Sequence, residues 1–86
     1  MKHIEKIDQK IFIRDNSGLE YDVILHGNAE IICDTCFNSI HVCRFGQSDE
    51  DIDIIDLDDI EFNNDGIFGR TYREYDISII IIKRTK

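Results

Sequence analysis

The sequence predicts a small, mainly β domain, and three observations support this. A chain of 86 residues is long enough for one domain, spanning residues 1–86, and too short for two. Isoleucine, a β-branched residue that favours strands, occurs 18 times. Short stretches of alternating apolar and polar residues are separated by turn-forming residues. We therefore expect five or six strands in a small antiparallel meander sheet or half-barrel.

The first two strands are predicted as a β-hairpin. Residues 10–14 alternate between apolar and polar, and residues 15–18 (Asp-Asn-Ser-Gly) are typical of a tight turn. Residues 19–25 alternate again, so every second side chain lies on one face. The predicted inner face consists of Leu19, Tyr21, Val23 and Leu25.

Residues 29–45 have two interpretations. They form either a hairpin, with strands at 30–36 and 40–45, or a short helix over 29–39 followed by a strand. Apolar residues recur at helical spacing after a possible Asn28 N-cap, whereas the residue types are mediocre helix formers. The domain is accordingly mainly β, or α+β with this one helix.

The C-terminal half contains an acidic strand, a turn and a long strand. The alternation in the acidic stretch shifts at Ile54–Ile55, which indicates one strand with a bulge or two short strands. Residues 63–66 (Asn-Asn-Asp-Gly) are typical of a turn. Residues 70–83 predict one long strand whose second face becomes apolar, and therefore buried, at Ile80 and Ile82.

The negative charge is concentrated in one segment. The net charge is −8, yet nine of the 18 acidic residues lie between Asp49 and Asp65. Lys and Arg are absent between Phe45 and Gly69, and the rest of the chain is almost neutral. Non-specific nucleic-acid binding and attraction to an anionic membrane both require basic residues. The expected partners are therefore basic proteins or cations.

The acidic stretch 49–61 is the predicted partner-binding surface. Alternate residues of a strand are about 6.6 Å apart on one face, roughly twice the axial rise of about 3.4 Å per phosphate of one DNA strand. The alternative interpretation is a solvated edge strand whose charges prevent aggregation. The candidate residues are Asp49, Glu50, Asp51, Asp53, Asp56, Asp58, Asp59 and Glu61.

This composition resembles that of several unrelated groups of small acidic inhibitors. They include toxin immunity proteins, phage-encoded inhibitors of host defence and DNA mimics. The resemblance implies a non-enzymatic protein that covers the basic surface of a nuclease or nucleic-acid-binding protein. It is a resemblance of composition, so it assigns no role to any particular residue.

A cysteine and histidine cluster suggests an alternative function as a small zinc-binding module. Its spacing, C-x2-C-x4-H-x-C, has the ligand types of tetrahedral zinc but not the usual spacing. A hairpin centred on Asn38 would place Cys33 opposite Cys43 with Cys36 on the other face, whereas a helix would let all four converge. Buried free thiols are the simpler interpretation, and we otherwise expect no cofactor. The candidate ligands are Cys33, Cys36, His41 and Cys43.

Three further expectations concern assembly, catalysis and location. The Ile-rich C-terminal strand offers a third function, as an assembly component that pairs through this strand, and self-association stays open. His3, His26 and His41 are scattered and no nucleophile motif is present, so we expect no enzymatic activity. The charged N-terminus and the longest apolar run, 77–82, predict neither a signal peptide nor a membrane span. We expect a cytoplasmic protein with reduced thiols.

Overall fold

The computed structural model describes residues 8–34, 38–47 and 49–84. These residues form seven antiparallel strands and no helix, which confirms the mainly β prediction. Consequently, none of them belongs to a helix long and apolar enough to cross a membrane. The strands are β1 (Gln9–Arg14), β2 (Glu20–His26), β3 (Ala29–Asp34), β4 (Ser39–Arg44), β5 (Asp51–Asp56), β6 (Ile67–Tyr72) and β7 (Ile77–Lys83).

The strands form two sheets that share one hydrophobic core. The four-stranded sheet has the order β1-β2-β7-β6, and the three-stranded sheet has the order β3-β4-β5. Only the second is a simple meander, because β7 lies between β2 and β6, and the sheets are not closed into a barrel. The most deeply buried core side chains are Val23, Leu25, Ile79 and Ile81 from the first sheet, and Ala29, Ile40, Val42 and Ile55 from the second.

The predicted first hairpin is confirmed. β1 and β2 pair over their full lengths, and the Asp15 side chain closes the turn by accepting hydrogen bonds from the backbone N–H groups of Ser17 and Leu19. Tyr21, Val23 and Leu25 are buried as predicted. Leu19 is exposed instead, because it lies in the turn before β2 begins.

Residues 29–34 and 39–44 form the two strands of a hairpin. Residues 35–37 lie outside the described residues, and for the rest of 29–39 the helix alternative is wrong. The predicted register is also wrong, because Cys33 pairs with Ile40 rather than with Cys43. This register puts Ile31 and Val42 opposite each other on the core face. Burial of β-branched side chains against the first sheet therefore overrides the helical spacing.

The predicted long strand 70–83 is two strands, β6 and β7, joined by a turn at 73–76. Asp76 takes up a left-handed backbone conformation with φ of 56°, which Asp tolerates better than most residues. Because the turn contains no Gly, Pro or Asn, the sequence offers no strong signal for it. The prediction of a second buried face also fails, since Ile80 is 39% exposed.

Gly27 lies where the chain passes from one sheet to the other, between β2 and β3. Its φ is +107°, and a Cβ atom there would be 2.6 Å from the backbone oxygen of Asp76. Both the backbone conformation and the close approach therefore require glycine.

We predict that Gly27→Ala lowers the free energy of unfolding by about 2–4 kcal/mol, because strain and a backbone clash add. Gly46→Ala is the matched control, since Gly46 also has a positive φ, of +81°, but open space around its Cβ position. We expect the control to cost only about 1 kcal/mol. Urea unfolding of both variants measures the difference, and equal losses would contradict the proposed clash.

Candidate functional site

The acidic segment contributes an edge strand, and a bulge decides which way its carboxylates point. β5 is the last strand of its sheet, and its register with β4 shifts between Val42 and Cys43. Asp53 pairs with Val42 and Asp51 with Cys43, which leaves Ile52 as the extra residue. Because Val42 faces the core, Asp53 points inwards and Asp51 outwards. The predicted bulge is thus present, although nearer the start of the strand than expected.

Asp53 joins the two sheets. Its Oδ2 accepts hydrogen bonds from Arg70 Nη1 at 2.7 Å and from Tyr72 Oη at 2.6 Å, and both donors lie on β6. Burial raises the pKa of the Asp53 carboxyl, but hydrogen bonds from Tyr72 and Arg70 lower it more, so its pKa lies below the ordinary value. The charge of Asp53 is therefore neutralised within the fold.

Asp51 binds its neighbours on β4. Its Oδ2 lies 3.0 Å from His41 Nδ1, and its Oδ1 accepts a hydrogen bond from Cys43 Sγ at 3.5 Å. The hydrogen bond with His41 lowers the pKa of Asp51, outweighing its partial burial. For Cys43, burial and the Asp51 carboxylate raise the thiol pKa to about 11. Cys43 is therefore a protonated, buried thiol at neutral pH.

Asp56 and Asp58 stabilise the turn that follows β5. Asp56 Oδ1 accepts a hydrogen bond from the backbone N–H of Asp58, and Asp58 Oδ1 accepts one from Asn38 Nδ2 at 2.9 Å. Asn38 has a φ of 55°, so Asp58 helps to hold this left-handed residue next to β4. Asp58 remains exposed and adds negative charge at the surface.

The four remaining candidate carboxylates are exposed, and no side-chain hydrogen bond or ion pair joins them to the described residues. We call Asp49, Glu50, Asp59 and Glu61 the free carboxylates. They lie beyond the two ends of β5, whose six residues span about 20 Å. The eight predicted site residues thus do not form an uninterrupted row, because the middle of the strand is used internally.

The outer face of the three-stranded sheet carries an apolar strip that the sequence analysis missed. Ile32, His41 and Ile54 lie opposite one another on β3, β4 and β5. Ile54 is 53% exposed and Ile32 is 41% exposed. The sequence indicates alternation in both strands but does not reveal which face is covered, since both faces contain isoleucine. We call these three residues the apolar strip.

The predicted zinc ligands are divided between the two faces of the sheet. Cys33 faces the core side and lines a small cavity with Ile13 and Leu57, whereas His41 and Cys43 lie on the outer face with Asp51. Cys36 lies outside the described residues. Within 8–34, 38–47 and 49–84, no three His, Cys, Asp or Glu side chains are grouped so that they could hold a metal ion.

The Ile-rich strand β7 is central in its sheet. It pairs with β2 on one side and with β6 on the other. Both of its hydrogen-bonding edges are therefore occupied, and assembly through a free edge of this strand would require the sheet to open.

Comparison with protein-family models, with curated proteins and with solved structures finds no match to this chain.

We predict that Asp53→Asn lowers the free energy of unfolding by about 1 kcal/mol at neutral pH, because Arg70 loses its charged acceptor. A carboxyl whose pKa is depressed in the folded state stabilises the fold above its unfolded pKa of about 3.9, and this contribution is lost as the pH falls through the folded pKa. The difference between wild type and variant should therefore shrink below about pH 4.

Urea unfolding at several pH values measures this difference. Asp65→Asn is the control, because Asp65 is exposed in a turn and its substitution should cost less than about 0.5 kcal/mol. A difference between wild type and Asp53→Asn that persists unchanged at low pH would contradict the ionic link.

We predict that iodoacetamide at about pH 8 modifies Cys33 in the folded protein but modifies Cys43 only after unfolding. Cys33 is exposed and Cys43 is buried, and a pKa of about 11 for Cys43 leaves about one thiolate in a thousand. Peptide mass spectrometry resolves the two positions. Equal modification rates in the folded protein would contradict the described packing of Cys43.

Proposed function

We propose that the chain is a non-enzymatic, cytoplasmic protein inhibitor that covers a basic surface of a nuclease or nucleic-acid-binding protein. The free carboxylates would supply the electrostatic attraction. The proposal follows from one observation: after internal ion pairs and turn contacts are accounted for, Asp49, Glu50, Asp59 and Glu61 remain exposed in a segment that contains no Lys or Arg.

The distribution of basic residues supports this assignment. Arg70 reaches the acidic strand, where Asp53 binds it. Arg14 and Arg84 bind Glu20 and Asp22 on the four-stranded sheet. Thus the ion pairs of these three arginines, within the described residues, involve Glu20, Asp22 and Asp53, and none involves a free carboxylate.

Keeping these carboxylates close together costs free energy. Asp49 and Glu50 are adjacent in the chain, and Asp59 and Glu61 are two residues apart, so the like charges of each pair repel each other in the free protein. A β-bulge also protects an edge strand from edge-to-edge aggregation, and β5 already contains one. A partner with a complementary basic surface would remove the repulsion and would be attracted over a distance of about one Debye length.

Affinity capture at low salt from the source organism's lysate tests the proposal, with partners identified by mass spectrometry. The wild-type chain is compared with a variant in which the free carboxylates are amides: Asp49→Asn, Glu50→Gln, Asp59→Asn and Glu61→Gln. A control of equal net charge carries amides outside residues 49–61: Asp8→Asn, Asp65→Asn, Glu74→Gln and Asp76→Asn. Captured partners are then challenged with duplex DNA and with about 1 M salt.

We expect one basic partner that is retained by wild type and control, lost by the amide variant and displaced by DNA. Its association rate should fall at least about tenfold in the amide variant, and less in the control, because steering depends on where the charges lie. Capture of the same partner by all three chains would contradict the proposal, as would a complex unaffected by salt and DNA.

A further inference from the structure

The apolar strip lies within the acidic surface rather than apart from it. Ile54 belongs to β5 itself, between Asp51 and Asp56. Asp51 and Glu30 lie opposite Cys43 in the neighbouring row of the sheet. The free carboxylates Asp49 and Glu50 precede this strand. The outer face of this sheet thus combines an exposed apolar centre with an anionic border.

The width of the apolar strip follows from the spacing between neighbouring strands. Ile32 and Ile54 lie on the two outer strands, on either side of β4, and are therefore about 10 Å apart. His41 lies between them and is held by Asp51 at 3.0 Å. Two isoleucines and an imidazole ring form a flat contact surface that needs little reordering on binding.

We propose that this outer face is the docking surface for the basic partner, with Ile32 and Ile54 as its apolar anchors. The inference rests on the proposed function and deepens it by specifying the partner's chemistry. Charge complementarity determines the occupant: a protein surface with an apolar centre and Lys or Arg at its border. A purely electrostatic mimic of nucleic acid would have no use for the apolar strip.

The arrangement separates two kinetic effects. Charges at the border accelerate association and make it depend on salt, whereas apolar contacts at the centre slow dissociation. Substitution of Ile54 should therefore change the dissociation rate and leave the salt dependence of association unaltered. Substitution of the free carboxylates should do the opposite.

The test uses the basic partner recovered by the capture experiment, purified and immobilised. Its association and dissociation rates are measured with wild type, Ile54→Ser and Ile32→Ser at two salt concentrations. Ile80→Ser is the matched control, because Ile80 is an exposed strand isoleucine on the outer face of the other sheet. Thermal unfolding of each free variant, followed by circular dichroism, verifies that all remain folded.

We expect Ile54→Ser and Ile32→Ser each to raise the dissociation rate roughly tenfold, a change typical of an anchoring apolar residue. Ile80→Ser should leave it within about twofold. One result would overturn this inference and leave the proposed function standing. In that result, binding of the partner depends on the free carboxylates and on salt as proposed, but its dissociation rate is unchanged in both isoleucine variants.

Two other outcomes also overturn the inference. Failure to capture any partner that depends on the free carboxylates removes the proposed function and this inference with it. Light scattering of the free chain tests a different occupant of the same face. A dimer in wild type that is lost in Ile54→Ser would show that a second copy covers the strip.

Discussion

The inward-pointing carboxylate of Asp53 is the interaction on which the organisation of the acidic edge depends. The bulge in β5 brings Asp53 onto the core side, where Arg70 and Tyr72 of the other sheet bind it. This contact connects the edge strands of the two sheets, which also share the apolar core and a hydrogen bond from Gln9 Nε2 to the backbone oxygen of Ala29. Because the bulge adds one residue, Asp51 then faces outwards and binds His41.

The carboxylates of the acidic segment therefore fall into two groups, those bound within the fold and those left exposed. Asp51 and Asp53 are used to hold β5 against its neighbours, and Asp56 and Asp58 stabilise the following turn. The free carboxylates lie beyond the ends of the strand, and the apolar strip lies between them. The resulting surface has the anatomy of a protein interface, with an apolar centre and a charged border.

The sequence predicts the strands better than their arrangement. The hairpin of β1 and β2 and the burial of Val23 and Leu25 follow from strict alternation ended by a turn. The turn at 73–76 could not be recognised, because Asp76 reaches a left-handed conformation without glycine. The inward direction of Asp53 was equally hidden, since a bulge reverses the face of every residue beyond it.

The sequence locates the acidic segment but does not indicate which of its carboxylates are exposed. Charge concentration alone identifies the segment from Asp49 to Glu61. Which carboxylates stay exposed depends on long-range partners, and Arg70 is 17 residues from Asp53 in the chain. The exposure of Ile54 likewise depends on tertiary packing, because none of the other described strands covers it, and no local sequence pattern indicates this.

Hydrogen exchange of the complex would show which face of the chain the partner covers. The basic partner is added to the chain, and the backbone amides that become protected are located by mass spectrometry. We expect protection to increase in β3 to β5 and in the residues around the free carboxylates, and to stay unchanged in β1, β2, β6 and β7. Protection confined to the four-stranded sheet would contradict the assignment of the acidic, apolar-centred face as the binding surface.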